Sequence, residues 1–137
     1  MFIGHSNSFH GTLQKGEDGM YAVFQNGYKV VMKNLTDECQ DGQKVIISVR
    51  PEEFTLSNEG IDACVKTRTF LGKYVNYDMS FEESGVTTII EFSQDVGQAE
   101  KIMQEGDRVK LKPNALKINI FTEDGERSLI KDVKRYE

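Results

Sequence analysis

Tryptophan is absent, and 137 residues contain only two cysteines, Cys39 and Cys64, and two prolines. Two thiols are too few for the disulfide framework of a small secreted domain and stand in no metal-ligand spacing, so a reducing compartment fits best. Scarce proline and twelve scattered glycines leave no Pro-rich or low-complexity linker. Nowhere do 18 apolar residues follow one another. The opening MFIGHSNSFHG has neither a basic region nor an apolar run of signal-peptide length, which reads as a soluble, cytosolic chain. No glycine-rich loop ends in Gly-Lys-Ser or Gly-Lys-Thr, and no strand is followed by G-x-G-x-x-G, so the chain alone should not hydrolyse ATP. Positive charge is also short, with 17 Lys and Arg against 22 Asp and Glu for a net charge of -5. Such a field repels polyphosphate and anionic lipid unless bases cluster locally. They do not cluster by halves: residues 1–58 carry 5 bases and 7 acids, residues 59–137 carry 12 and 15.

What is present is a short period-two pattern punctuated by glycine, the mark of half-buried strands joined by tight turns. It predicts strands over residues 9–15, 20–25, 28–32, 43–49, 54–57, 61–71, 73–82, 86–92, 109–112 and 116–121. Asn26-Gly27 reads as a two-residue hairpin, since a type I′ turn needs positive φ at both central positions. In the strand over 73–82, Val75, Tyr77, Met79 and Phe81 share the core face. The stretch 95–105 is the best helix candidate, with Asp95 as cap, Val96, Ala99, Ile102 and Met103 at helical spacing, and Gly106 as stop.

An internal repeat organises these strands. Gly42-Gln43-Lys44-Val45-Ile46-Ile47 runs on to Pro51-Glu52-Glu53-Phe54-Thr55-Leu56. Gly106-Asp107-Arg108-Val109-Lys110-Leu111 runs on to Pro113-Asn114-Ala115-Leu116-Lys117-Ile118. Both give glycine, any residue, a base, valine, any residue, an aliphatic, then proline and a second apolar strand. Repeated strand pairs imply two similar five-stranded units. The expected fold is therefore all-β with one short helix, as two small OB-like Greek-key barrel lobes, residues 1–58 and 59–137.

Candidate chemistry is thin. His5 and His10 could meet Cys39 or Cys64 at a metal only through an accident of folding. Cys64, in Ala63-Cys64-Val65, reads as a small buried residue rather than a nucleophile. The acid pairs Glu52-Glu53, Glu82-Glu83 and Glu123-Asp124 read as solvated surface. Arg108, Lys110, Lys112 and Lys117, with Tyr74 and Tyr77, are the whole case for a single-stranded nucleic-acid groove, and acids intersperse with them. Val49-Arg50-Pro51-Glu52-Glu53 differs. A proline ends ladder pairing there, so the segment must turn outwards carrying a bidentate cation and two acids. It is either a clip between lobes or subunits or a plain strand terminus.

Several of these residues together resemble the transport-associated OB (TOBE) domain, the C-terminal regulatory region of ATP-binding subunits of bacterial ABC importers. The resemblance rests on Phe2-Ile3-Gly4 followed by Asn7, Phe9 and Gly11, on Val45 to Glu52 with its Val-Arg-Pro-Glu, on Thr69-Phe70-Leu71-Gly72, and on Asp107 to Pro113 before a closing strand. It covers nearly the whole chain. It implies a non-catalytic domain without cofactor or metal, an ATPase domain upstream in the same polypeptide, and a homodimer reaching permease subunits at the inner face of the cell membrane. On that reading the chain is an isolated domain or an engineered fragment with Met1 supplied for expression. Phe-Ile-Gly followed after two residues by Asn resembles the polyamine, iron or phosphonate branch. Arg50, Glu52 and Glu53 are then the expected lobe or subunit contacts, with Phe2 and Asn7 ordering the first strand. Two other readings stay open: a sensor of an oxyanion or a polyamine, and a single-stranded nucleic-acid binder.

Overall fold

The structure is a computed structural model and describes residues 6–131. Ten strands run through them: β1 (Asn7–Gly16), β2 (Gly19–Phe24), β3 (Lys29–Met32), β4 (Lys44–Val49), β5 (Phe54–Ser57), β6 (Ile61–Leu71), β7 (Tyr74–Glu83), β8 (Val86–Asp95), β9 (Arg108–Pro113) and β10 (Asn119–Thr122). All ten predicted strands are found. The helical segments among the described residues are two 3₁₀ turns, Pro51–Glu53 between β4 and β5 and Ala115–Lys117 between β9 and β10. Both copies of the sequence repeat thus fold as strand, 3₁₀ turn, strand.

The chain forms two compact units, Met1–Val49 with Ala115–Glu137, and Arg50–Asn114. The first holds a five-stranded sheet in the order β10-β4-β1-β2-β3, the second one in the order β5-β9-β6-β7-β8. Numbered within each unit, β1 to β4 and β6 to β9 are strands one to four, and both sheets read five, four, one, two, three. This is an OB-like order, twice. The fifth strands are exchanged. β5 follows β4 in the chain yet pairs with β9, from Phe54 opposite Pro113 to Ser57 opposite Lys110. β10 follows β9 yet pairs with β4, from Asn119 opposite Ser48 to Thr122 opposite Val45. The lobe boundary expected at 58/59 therefore marks the sequence repeat but not the folded units. Those change at 49/50 and 114/115, where each fourth strand has ended and the chain leaves its own sheet.

In the first unit β1 alternates as a half-buried strand must, with Asn7, Phe9, Gly11 and Leu13 inward. Phe9 meets Phe24 edge-on, with centroids 5.2 Å apart. Gly11 leaves room where a Cβ would lie 2.5 Å from the Ile47 side chain and 2.7 Å from the Val23 carbonyl oxygen. Residues after β10 turn back, and Leu129 and Lys131 bond the chain just beyond β3 (Thr36 N–H to Leu129 O, Lys131 N–H to Asn34 O), which continues the sheet around from β10 to β3. That return turn is held by Asp124, which accepts from the Thr122 hydroxyl and the Glu126 N–H, while Arg127 forks onto Glu38 at 2.6 and 2.8 Å. The Thr122 bond first, then the Glu126 bond, hold the Asp124 carboxyl below the usual carboxylate range. Because the folded-state pKa is the lower one, this contribution is present at neutral pH and is lost as pH falls through that lowered value. In an NMR titration Asp124 should titrate below an unstructured aspartate, and Thr122→Val should move it upward.

In the second unit Val75, Tyr77, Met79 and Phe81 of β7 face inward as expected, and none is more than 2% exposed. Tyr77 stacks on Phe92, with centroids 5.7 Å apart. Two local expectations are corrected. Residues 95–105 are not a helix. Asp95 does accept the Gly97 N–H at 2.8 Å, but no helical ladder follows. Only Met103 of the apolar stripe is buried, and the sheet itself supplies partners for this stretch: the Tyr77 hydroxyl accepts the Met103 N–H at 3.0 Å, Arg68 donates to the Met103 carbonyl at 2.8 Å, and Gln94 donates to the Lys101 carbonyl at 3.2 Å. A helix carrying Gly97 inside it would forgo those bonds and lose about 1 kcal/mol at the glycine. Nor is Asn26-Gly27 a type I′ turn. Only Gly27 has positive φ, at 93°, and the Asn26 side chain accepts the Tyr28 N–H at 3.1 Å, giving the longer connection 25–28. Type I′ geometry occurs instead at Ser84-Gly85, with φ of 52° and 81°, between paired Glu83 and Val86.

Candidate functional site at the chain crossings

The residues singled out around Arg50 stand where the chain passes from one unit to the other. Val49 ends β4 opposite Asn7, so the first residue of β1 sits beside the last residue before the crossing. Asn7 is buried, 7% exposed. Phe2 lies outside the described residues. Arg50 is extended (φ -73°, ψ 151°) and half-buried, and Pro51 follows it, buried, as the first residue of the 3₁₀ turn. Proline suits that place, since its fixed φ fits a helical first turn and its missing N–H would find no partner there.

The turn closes when the Glu53 N–H donates to the Arg50 carbonyl at 2.9 Å. The Glu53 carbonyl then accepts the Asn114 N–H at 2.8 Å, and its carboxylate accepts from Asn114 Nδ2 at 3.4 Å. Asn114 is the last residue before the return crossing, so Glu53 fastens the end of one crossing to the start of the other. Glu52 is exposed beside it. Arg50 and Glu53 thus stand at the start of the second unit, while Asn7 pairs with Val49 in the first. Asn114 is a site residue that sequence reasoning misses, although the repeat aligns Pro113-Asn114 with Pro51-Glu52; the second copy of the proline is the signal that marks its place.

Of the bases considered for a nucleic-acid groove, Arg108, Lys110 and Lys112 share the exposed face of β9, and acids partner two of them. Lys110 pairs with Asp62 at 2.8 Å and Lys112 with Glu59 at 3.2 Å, all four exposed. Lys117 belongs to the first unit and Arg108 to the second. Tyr77 is fully buried, so it offers no stacking platform. Among the described residues no three His, Cys, Asp or Glu side chains form a group able to hold a metal ion. His10 is exposed, and Cys64, expected to be buried, is half-buried with its side chain opposite Ser80. No helix among the described residues is long and apolar enough to cross a membrane.

Comparison with known proteins falls on the same region. The sequence profile of the TOBE domain matches residues 47–121, from within β4 to within β10, which takes in both crossings and the whole second unit. The Fe(3+) ions import ATP-binding protein FbpC of Fusobacterium nucleatum subsp. nucleatum is 32% identical over 136 residues, covering 96% of this chain and 34% of that protein. The spermidine/putrescine import ATP-binding protein PotA of Thermobifida fusca is 29% identical over 117 residues, covering 80% and 30%. The chain thus spans about a third of the length of these curated relatives. Among solved structures, the cytoplasmic molybdate-binding protein ModG, in a form with molybdate bound, superposes with a TM-score of 0.64 at 16% identity, over 89% of this chain and 99% of that one. That likeness concerns the fold and agrees with two OB-like units. With more than half its length matched, and the matched half being the part that carries both proline-marked crossings, the chain belongs to the TOBE domain family.

Proposed function

We propose that this chain is the non-catalytic C-terminal regulatory and dimer-supporting region of an ABC importer ATP-binding subunit, of the iron or polyamine type. The observation that carries the reading is the pair of curated relatives, both named as import ATP-binding proteins, one of which aligns with 96% of this chain while the chain accounts for 34% of it. The remaining two-thirds of such a subunit would hold the nucleotide-binding domain, upstream in the same polypeptide, and would reach the permease subunits at the cytoplasmic face of the membrane. A small double barrel that pairs with its copy keeps two ATPase domains at high effective concentration while their nucleotide interface opens. Any ligand that favoured one relative orientation of the pair would bias transport. Arg50, Glu52 and Glu53 serve in this reading as lobe contacts at the crossings, with Asn7 ordering the first strand.

Sequencing the genomic locus tests the proposal directly. The open reading frame should continue upstream of Met1 through a nucleotide-binding domain and lie beside permease genes; a native start codon at Met1 behind a ribosome-binding site would overturn it. In the full subunit, replacing Arg50 and Glu53 together by Ala should lower substrate uptake while basal ATP hydrolysis persists.

A further inference from the structure

Sheet edges expose unpaired backbone N–H and C=O groups and invite another strand, so folded chains keep them short, charged, bulged or covered. Three of the four sheet edges here follow that rule. β3 has four residues, begins with Lys29, is followed by Lys33, and is continued by the segment that returns from β10. β10 also has four residues, and 127–129 bond along it through Thr122 N–H to Arg127 O and Leu129 N–H to Ile120 O. β5 is four residues long as well.

β8 departs from the rule. It has ten residues and one strand neighbour, β7, with which it pairs in unbroken register from Glu83 opposite Val86 to Tyr74 opposite Asp95. Its first five residues, Val86-Thr87-Thr88-Ile89-Ile90, contain no charge, proline, glycine or bulge, and every one is β-branched. Val86 is 61% and Ile89 58% exposed, and Thr87 and Thr88 between them are exposed too. Among the described residues no backbone bond reaches the outer side of these five. The 3₁₀ turn at Pro51–Glu53 approaches β8, but the Glu53 N–H and C=O are taken by the Arg50 carbonyl and the Asn114 N–H.

We infer that this bare edge of β8 is where a second copy of the chain adds its own β8, antiparallel, so that two sheets of the second-unit type become one. The occupant follows from the edge itself. Five uncharged residues can face their own copies without like-charge repulsion, and an antiparallel pair about a two-fold axis uses each edge once and therefore closes as a dimer. A two-fold at Thr88 is the register that sets all five against all five. It places Val86 opposite the partner's Ile90, Thr87 opposite the partner's Ile89 and Thr88 opposite the partner's Thr88, all pairs that suit a sheet. Two chains of net charge -5 repel at long range, so association should strengthen as salt screens them. The inference deepens the pairing half of the proposal above by naming the surface, and it can fail separately.

Sedimentation equilibrium of the 137-residue chain over roughly 1 μM to 1 mM is the test. A monomer–dimer equilibrium is expected that tightens with salt. Ile89→Lys should weaken it by roughly tenfold or more, since a lysine on an edge is a natural block to strand addition. Circular dichroism and melting temperature should stay unchanged for this exposed position, which keeps a folding defect apart from an association defect. Mixing Ile89→Lys with Thr87→Glu should restore a heterodimer, because the new charges face each other in the stated register. A monomer at all concentrations, or a dimer indifferent to Ile89→Lys, would overturn the inference. So would slow amide exchange along the outer edge of 86–90 in the monomer, since the chain would then be covering that edge itself. If the isolated chain stays monomeric, or its dimer ignores Ile89→Lys, while the full-length subunit still dimerises, the functional proposal survives and the β8 seam does not.

Discussion

Gly60→Ala is expected to cost about 3 kcal/mol or more and to lower the melting temperature of the second unit by roughly 12 °C or more. Gly60 links β5 to β6 at a φ of 143°, a region that side chains rarely enter. Conformation is only half of the penalty. A Cβ there would lie 2.2 Å from the Leu111 carbonyl oxygen and 2.6 Å from its carbon. Leu111 is in β9, between β5 and β6, and is paired on both sides, with Leu56 and with Ile61. The obstructing atom is therefore main chain locked in a sheet, which cannot rotate away as a side chain would. Gly72→Ala is the control. Gly72 also has positive φ, at 66°, but its Cβ would meet nothing within 4 Å, so only the backbone term of about 1 to 2 kcal/mol applies. Equal losses in thermal or urea unfolding would show that the Leu111 carbonyl is not what demands glycine at position 60.

Gly60 also shows what the sequence makes legible and what it hides. A glycine after Asn58-Glu59 reads at once as a turn, and the strand on either side is readable from alternation alone. That β5 closes a sheet with β9, fifty-odd residues on, is not readable. Alternation names the face a residue buries and is silent about which sheet receives it. The repeat carried the duplication of strand, turn and strand correctly, because a proline marks the end of each fourth strand, Pro51 just beyond β4 and Pro113 as the last residue of β9. It placed the boundary wrongly for the same reason: two copies of one hairpin plan look alike whether each folds onto its own half or onto the other. The crossing residues Arg50 and Glu53 were found because Arg-Pro-Glu at a strand end is chemically unusual. Asn114, which bonds Glu53, reads in sequence as any polar loop residue. The bare edge of β8 was equally hidden, since Val-Thr-Thr-Ile-Ile reads as a good strand and nothing in its composition tells an edge from a centre.

The false helix at 95–105 leads to the second large effect. Met103→Ala is expected to cost about 2 to 5 kcal/mol, the range for emptying a buried site, because Met103 is 1% exposed and is the one residue of that stretch that the core takes in. The same residue's backbone is gripped on both sides, its N–H donating to the Tyr77 hydroxyl and its carbonyl accepting from Arg68. The Tyr77 hydroxyl in turn donates to Gln94 at 2.8 Å. Tyr77→Phe keeps the ring and its stacking on Phe92 but leaves a buried N–H without its acceptor, at about 1 to 3 kcal/mol. Helical periodicity failed because these bonds replace a helix: the residues that hold Met103, Arg68 on β6 and Tyr77 on β7, are distant in sequence and invisible to a local pattern. Met103→Ala leaves the backbone bond and Tyr77→Phe leaves the side chain, but both loosen one loop, so their costs should fall short of adding, with a coupling of about 0.5 kcal/mol or more. Hydrogen exchange supplies the readout that a generic loss of stability would not move. In Tyr77→Phe the Met103 amide should exchange much faster while the amides of β7 keep their protection. If that amide stays slow, the hydroxyl is not what holds the loop, and the Met103 side chain alone accounts for a strand-to-strand connection that sequence takes for a helix.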